Sequence, residues 1–142
     1  MADLTWSEFT ALIAGVPVIH MATSSREGEP HVAVVSAGVD GFALVIAAKR
    51  DSAKVRNVTG NPRVSLVWQG NSAETYLWGS VAIIDDPREK SRLWNGGFFP
   101  YDMSMFFGSA TDPGWSILRI TPTRVVAMVQ GQSGLVRRVW TP

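Results

Sequence analysis

The residues able to do chemistry are few, and most of them gather in one place. The chain reads Ala47-Ala48-Lys49-Arg50-Asp51-Ser52-Ala53-Lys54-Val55-Arg56-Asn57-Val58-Thr59-Gly60-Asn61-Pro62-Arg63. Five of the 13 basic residues fall in this stretch, and Asp51 is its one acid. Asp51-Ser52 opens a short helix and Gly60 closes it, so the basic cluster straddles a strand-to-helix junction. A helix start presents free backbone N–H groups and partial positive charge, which together suit a phosphate. Ser52 adds a hydroxyl, and Lys49, Arg50 and Lys54 add charge-assisted donors. Small side chains at Ala47 and Ala48 let a flat ligand lie close to the strand. The same spacing also fits a plain solvated helix face at Lys54 and Arg56.

Other chemistry is largely excluded. With no Cys among 142 residues, disulfides, thiolate metal sites and thiol nucleophiles are ruled out together. The two histidines, His20 and His31, are too few for a His-rich zinc site, and each reads as a structural residue. No G-x-G-x-x-G, G-x-x-x-x-G-K-[ST] or G-x-S-x-G motif occurs. Asp85-Asp86 is an adjacent acidic pair, but neighbours at a strand end face opposite ways and Asp86 suits a helix cap. A formal charge of +1 lacks the basic excess of a general nucleic-acid binder. No apolar stretch reaches the roughly 18 residues of a membrane span. Met1-Ala-Asp-Leu-Thr-Trp lacks the pattern of a signal peptide, so a cytoplasmic protein is expected. Charged residues make up 18% of the chain and hydrophobic ones 46%, which leaves apolar surface for a homodimer to hide. Where side chains offer no obvious acid, base, nucleophile or metal set, redox chemistry carried by a cofactor is still open.

The elements that must position the cluster can be read in order. Thr5 and Glu8 form a capping box for a helix over about Thr5 to Ala14, with Trp6, Phe9, Leu12 and Ile13 on one face. Strands are predicted at Val16 to Thr23, His31 to Ala37 and Phe42 to Ala48, the last two joined as a hairpin across Gly38-Val-Asp40-Gly41. Arg63 to Gln69 and Thr75 to Ile84 form a second hairpin across Gly70-Asn-Ser. Asp86, Pro87 and Glu89 start a polar helix. An irregular stretch from Asn95 to Gly114 holds Phe98, Phe99, Tyr101, Phe106 and Phe107. Strands return at Trp115 to Thr121, Arg124 to Gln130 and Leu135 to Trp140. About eight strands in sequential order with three short helices exclude a parallel Rossmann sheet. They indicate a mainly β (α+β) fold, a closed or split antiparallel barrel.

A family resemblance runs along nearly the whole chain. Gly28-Glu-Pro30-His31, Ser52-Ala-Lys54-Val-Arg-Asn57, Asn61-Pro-Arg-Val-Ser65 and Leu77-Trp-Gly79-Ser-Val-Ala82 stand in order before Asp85-Asp86. Leu93-Trp94-Asn95, Phe99-Pro100, Asp112-Pro113 and Leu118-Arg-Ile-Thr-Pro122 follow. The series resembles the pyridoxamine 5′-phosphate oxidase-like superfamily, in particular its general stress protein 26-like branch. The resemblance implies a single domain over residues 1–142, an antiparallel split β-barrel with short peripheral helices. It also implies a homodimer with FMN held in clefts between subunits. The Ser-x-Lys motif, which helps hold the FMN phosphate in that family, carries over to Ser52 and Lys54. Ala47, Ala48 and Lys49 would then run beside the phosphate and ribityl chain, with Val34 and Val35 passing the isoalloxazine ring.

The chain also departs from the family pattern. Ala33 stands where relatives often carry a phosphate-reaching Arg, and Ala48 where a Thr is common; Lys49 and Arg50 approach from the other side of the loop. The substrate motifs of true pyridoxamine phosphate oxidases are replaced by Val129-Gln130-Gly131 and Leu135-Val136-Arg137-Arg138, so the resemblance does not extend to vitamin B6 oxidation. Three functions remain open. One is an FMN-dependent oxidoreductase acting on a small molecule. Another is a reductase using the deazaflavin F420, whose anionic tail suits Lys49, Arg50, Lys54 and Arg56. The third is a non-catalytic cofactor- or ligand-binding protein.

Overall fold

The computed structural model describes residues 3–142. Helix α1 (Trp6–Ile13) precedes strands β1 (Ile19–Ser24), β2 (Pro30–Val35), β3 (Gly38–Asp40) and β4 (Ala43–Lys49). Helix α2 (Ala53–Gly60), strands β5 (Arg63–Gly70) and β6 (Ala73–Ile84) and helix α3 (Pro87–Asn95) follow. A short 3₁₀ turn (Met103–Met105) leads to β7 (Trp115–Gly131) and β8 (Gly134–Trp140). The expected capping box is present: Glu8 N donates to Thr5 Oγ1 and Thr5 N to Glu8 Oε1. Arg138 also donates to Glu8, tying α1 to β8. The β5–β6 hairpin turns through Asn71 and Ser72, both at positive φ, as a tight two-residue turn requires.

Every strand pairing is antiparallel, in the order β2-β1-β5-β6-β7-β4-β3, with β8 also on β7. The two end strands, β2 and β3, are consecutive in the chain and separated only by Ser36 and Ala37. The sheet therefore curls until its edges approach, without a ladder between them among the described residues. This is the expected split barrel.

Two strand assignments are corrected. The hairpin at Gly41 joins β4 to the short β3, while β2 pairs with β1. Gly38, where β3 begins, admits no side chain: a Cβ there would stand 2.1 Å from the Phe98 carbonyl oxygen, so the backbone of the aromatic segment occupies that space. The strands expected at Trp115–Thr121 and Arg124–Gln130 are one continuous strand, β7. Pro122 and Thr123 do not end it because the register against β6 shifts between Trp78 and Gly79, and such a bulge tolerates a residue without an N–H.

Two apolar cores follow from the alternation of β4. Leu44, Ile46 and Ala48 point into the barrel, with Phe9, Met21, Leu66, Leu77 and Leu118. Val45 packs outside with Ile117, Leu93, Phe99, Phe107 and Trp115, and Ala47 lies against this second cluster. Buried Lys90 of α3 donates to the Asp112 carbonyl at 2.7 Å and lies over the Trp115 ring, 4.7 Å from its centroid. Asp112 accepts from the N–H groups of Gly108 and Gly114. The irregular segment is thus pinned by polar contacts as well as by aromatic packing.

Asp40 joins three elements, accepting from Arg92 of α3 and Arg119 of β7, each at 2.7 Å. Hydrogen bonds from Arg92 and then Arg119 hold its carboxyl at about 2, below the usual range. Because the folded value is depressed, the stability it contributes is present above about pH 4 and lost as pH falls toward 2. Asp40→Asn is expected to cost about 1–2 kcal/mol at pH 7, allowing for solvent screening. Urea unfolding at pH 7, 4, 3 and 2 should show the variant and the parent converging as pH falls.

Candidate functional site

The junction between β4 and α2 is built by backbone turns. Ser52 N donates to the Lys49 carbonyl at 3.0 Å, and Arg50 N to the Gly114 carbonyl at 2.9 Å. Ser52 is the N-cap of α2 with extended backbone, but its hydroxyl makes no capping bond. That oxygen is buried and has no hydrogen-bond partner. A Ser at this position ordinarily accepts from the N2 or N3 N–H. Here the start of α2 keeps its backbone donors free of any side-chain cap, with an unpaired hydroxyl beside them.

Lys54 sits in the first turn of α2 and is partly buried. Burial, and secondarily the charge on Lys49, push its pKa below the usual lysine value. Neither lysine has an ion-pair partner among the described residues, so two mutually repelling cations flank the helix start. An anionic group would relieve both the repulsion and the unmet donors. The arrangement suits the phosphate of a nucleotide-like cofactor.

Arg50 behaves differently. Its Nη2 lies 2.6 Å from Asp85 Oδ2, and Asp85 also accepts from Ser116 Oγ. Burial pushes the Asp85 carboxyl up, but hydrogen bonds from Arg50 and Ser116 outweigh it and the net shift is downward. Asp86 caps α3 by accepting from Arg88 N at 3.0 Å. The acidic pair therefore separates into a helix cap and an arginine partner. Sequence reasoning assigned Asp85 no part in this region; its link to Arg50 spans 35 positions and follows from the β4–β7–β6 pairing.

The remaining sequence candidates divide by face. Ala48 is inside the barrel and Ala47 lies against the outer core, while Lys49 is exposed at the strand end. Val35 is buried in the barrel core, whereas Val34 is exposed on the outer face. The two valines therefore face opposite sides of β2. Lys49, Ser52 and Lys54 come together at the junction; Val34 and Val35 lie on β2, a strand against which α2 packs.

The two histidines, read from sequence as structural residues, lie on opposite faces of the sheet. His31 Nδ1 is buried without a partner, like Ser52 Oγ. His20, exposed on the outer face, lines a groove of about 340 Å³ with Val18, Val67, Gln69, Glu74 and Tyr76. In that groove Tyr76 Oη donates to Glu74 Oε2 at 2.7 Å. Period-two alternation along β1 and β2 could have separated the two histidines by face. Among the described residues no cluster of three His, Asp or Glu could hold a metal, and no helix is long and apolar enough to cross a membrane.

Fold and junction together define a small split barrel with a cationic helix start at one end. The family model for pyridoxamine 5′-phosphate oxidase matches residues 5–128, and the chain belongs to that family. Its fold is shared with a Clostridium acetobutylicum protein related to general stress protein 26 of B. subtilis. That pair has 18% identity over 95% of this chain and 92% of the other, with a TM-score of 0.75. A pyridoxamine 5′-phosphate oxidase-related, FMN-binding protein from Nostoc punctiforme matches at 16% identity over 99% and 93%, TM-score 0.71. A structure described as an F420 reductase matches at 22% identity over 81% and 93%, TM-score 0.63. No curated protein matches the chain.

The Arg50–Asp85 pair yields a test. Asp85→Ala is expected to release Arg50 and raise affinity for inorganic pyrophosphate roughly fivefold, the scale of one exposed ion pair. Adding Arg50→Ala should return the affinity to the starting value in the same calorimetric titration.

Proposed function

We propose that the chain is an FMN-dependent oxidoreductase of its family, working as a cytoplasmic homodimer on a small molecule. The observation that carries this reading is the buried, unpaired Ser52 hydroxyl at the start of α2, beside a partly buried Lys54 whose charge is uncompensated. In this reading Ser52 and the free N–H groups of α2 hold the FMN phosphate by hydrogen bonds, and Lys54 and Lys49 neutralise it. Lys49 also borders the ribityl chain, with Ala47 and Ala48 shaping the strand beside it. Val34, on the exposed face of β2, borders the flavin ring, and Val35 backs it from the barrel core. Bound flavin would supply the electron-transfer chemistry; the protein supplies position and polarity. Arg50, held by Asp85, contributes less to the phosphate than its place in the sequence suggests.

Support for the homodimer comes from the outer face of β1 and β2. Val18, Val32 and Val34 are 59%, 63% and 65% exposed, next to the groove lined by His20 and Tyr76. An exposed apolar patch of this kind favours a partner surface. A second copy placed there would bring its own residues to the exposed side of Val34.

An F420-dependent reductase is the second reading. It is favoured by the exposed cation Arg56, which adds positive charge beside the junction beyond Lys49 and Lys54, and by the fold shared with the F420 reductase.

Adding FMN to the purified protein is expected to raise its melting temperature, with the yellow flavin spectrum co-eluting on gel filtration. Lys54→Ala should weaken FMN binding about 10- to 100-fold, the worth of a charged hydrogen bond, without lowering the unliganded melting temperature. A parallel titration with F420 separates the two cofactors, and failure of both to bind would leave the third, ligand-sensing role. Val34→Lys is expected to shift the mass in light scattering from two chains to one.

A further inference from the structure

Among the described residues, two buried side-chain atoms lack any hydrogen-bond partner, and both lie by α2. One is Ser52 Oγ, and the other is His31 Nδ1 on β2. The register settles where His31 points. Thr23 of β1 is directly opposite His31, and directly opposed residues of an antiparallel pair project to the same face. Buried Thr23 accepts from Asn57 Nδ2 of α2 at 3.0 Å, so the face it shares with His31 is the one covered by α2. Asn57 lies three residues beyond Lys54, which places the two side by side on the helix surface. The next residue of β2 on the His31 face is Ala33, whose side chain is a single methyl group.

We propose that His31 is a second anchor for the anionic group held at Ser52 and Lys54, its imidazole Nδ1–H donating to an oxygen of that group from the β2 side. The assignment rests on the phosphate reading above and deepens it. The helix supplies backbone donors, a hydroxyl and an ammonium from one side, and His31 supplies a ring N–H from the other. An unmet nitrogen in a buried position is costly to keep, and an anion seated against α2 gives it a partner. His20 cannot substitute, because it is exposed on the outer face of β1.

The test compares FMN with riboflavin, which has the same ring and ribityl chain but no phosphate. Affinities are read by fluorescence quenching in the full chain and in His31→Ala, His31→Asn, Ser52→Ala and Lys54→Ala. The parent is expected to prefer FMN, and His31→Ala to lose about 10- to 30-fold of that preference with riboflavin affinity unchanged. His31→Asn, whose amide nitrogen stands near the Nδ1 position, should recover most of it. If Ser52→Ala and Lys54→Ala lose the preference while His31→Ala keeps it, the phosphate reading stands and the role of His31 is overturned. If the parent does not distinguish FMN from riboflavin, both fall together. Nitrogen-15 NMR of the unaltered protein decides the matter should His31→Ala not fold. FMN, and not riboflavin, should move the His31 Nδ1 resonance, and an unmoved resonance overturns the proposal.

Discussion

Two residues, Ser36 and Ala37, connect strands that stand at opposite ends of the sheet order. So short a connection cannot cross a flat seven-strand path, since n extended residues span at most about 3.5 Å each while strands lie about 4.8 Å apart. The sheet has to roll up. Once it does, its inner face becomes a closed core that α1 enters with Phe9 and Ile13, and α2 lies across the strands with Val55 and Val58. The position of α2, and with it every feature of the junction, follows from that closure.

The strand that feeds the junction is unusual in being covered on both faces. β4 has the barrel core on one side and the aromatic cluster of Leu93, Phe99, Phe107 and Trp115 on the other. A strand held in this way has little freedom to shift, so the loop at its end starts from a fixed point. Arg50 N bonded to the Gly114 carbonyl continues the restraint beyond the strand end. Rigid support on both sides is what a binding loop needs if its donors are to be set before a ligand arrives. The polar tie from Lys90 to Asp112 serves the same end, because it fixes the segment that roofs the outer core.

Local signals in the sequence gave reliable elements, and long-range ones did not. The Thr5–Glu8 box, the Asp86 cap and the turn at Asn71-Ser72 depend on neighbours a few residues apart, and each is found where its pattern predicts. The need for glycine at the start of β3 depends on the backbone of Phe98, and the continuity of β7 on a bulge against β6; neither partner is visible from the local sequence. The candidate site divides in the same way. Lys49, Ser52 and Lys54 are contiguous enough for the strand-to-helix junction to be read directly. The engagement of Arg50 by Asp85 needs the strand register, which no residue spacing supplies, whereas the face of His31 was within reach of the strand alternation.

The unrelieved repulsion between Lys49 and Lys54 reaches beyond recognition. A folded state that carries two crowded cations is weaker when empty, and any anion that prefers this state over the unfolded chain shifts the balance toward it. The share of molecules transiently open to proteases then depends on how much of that anion the cell keeps in supply. Turnover of the chain would thus follow the supply of that anion, through nothing more than charge crowding at one end of a barrel.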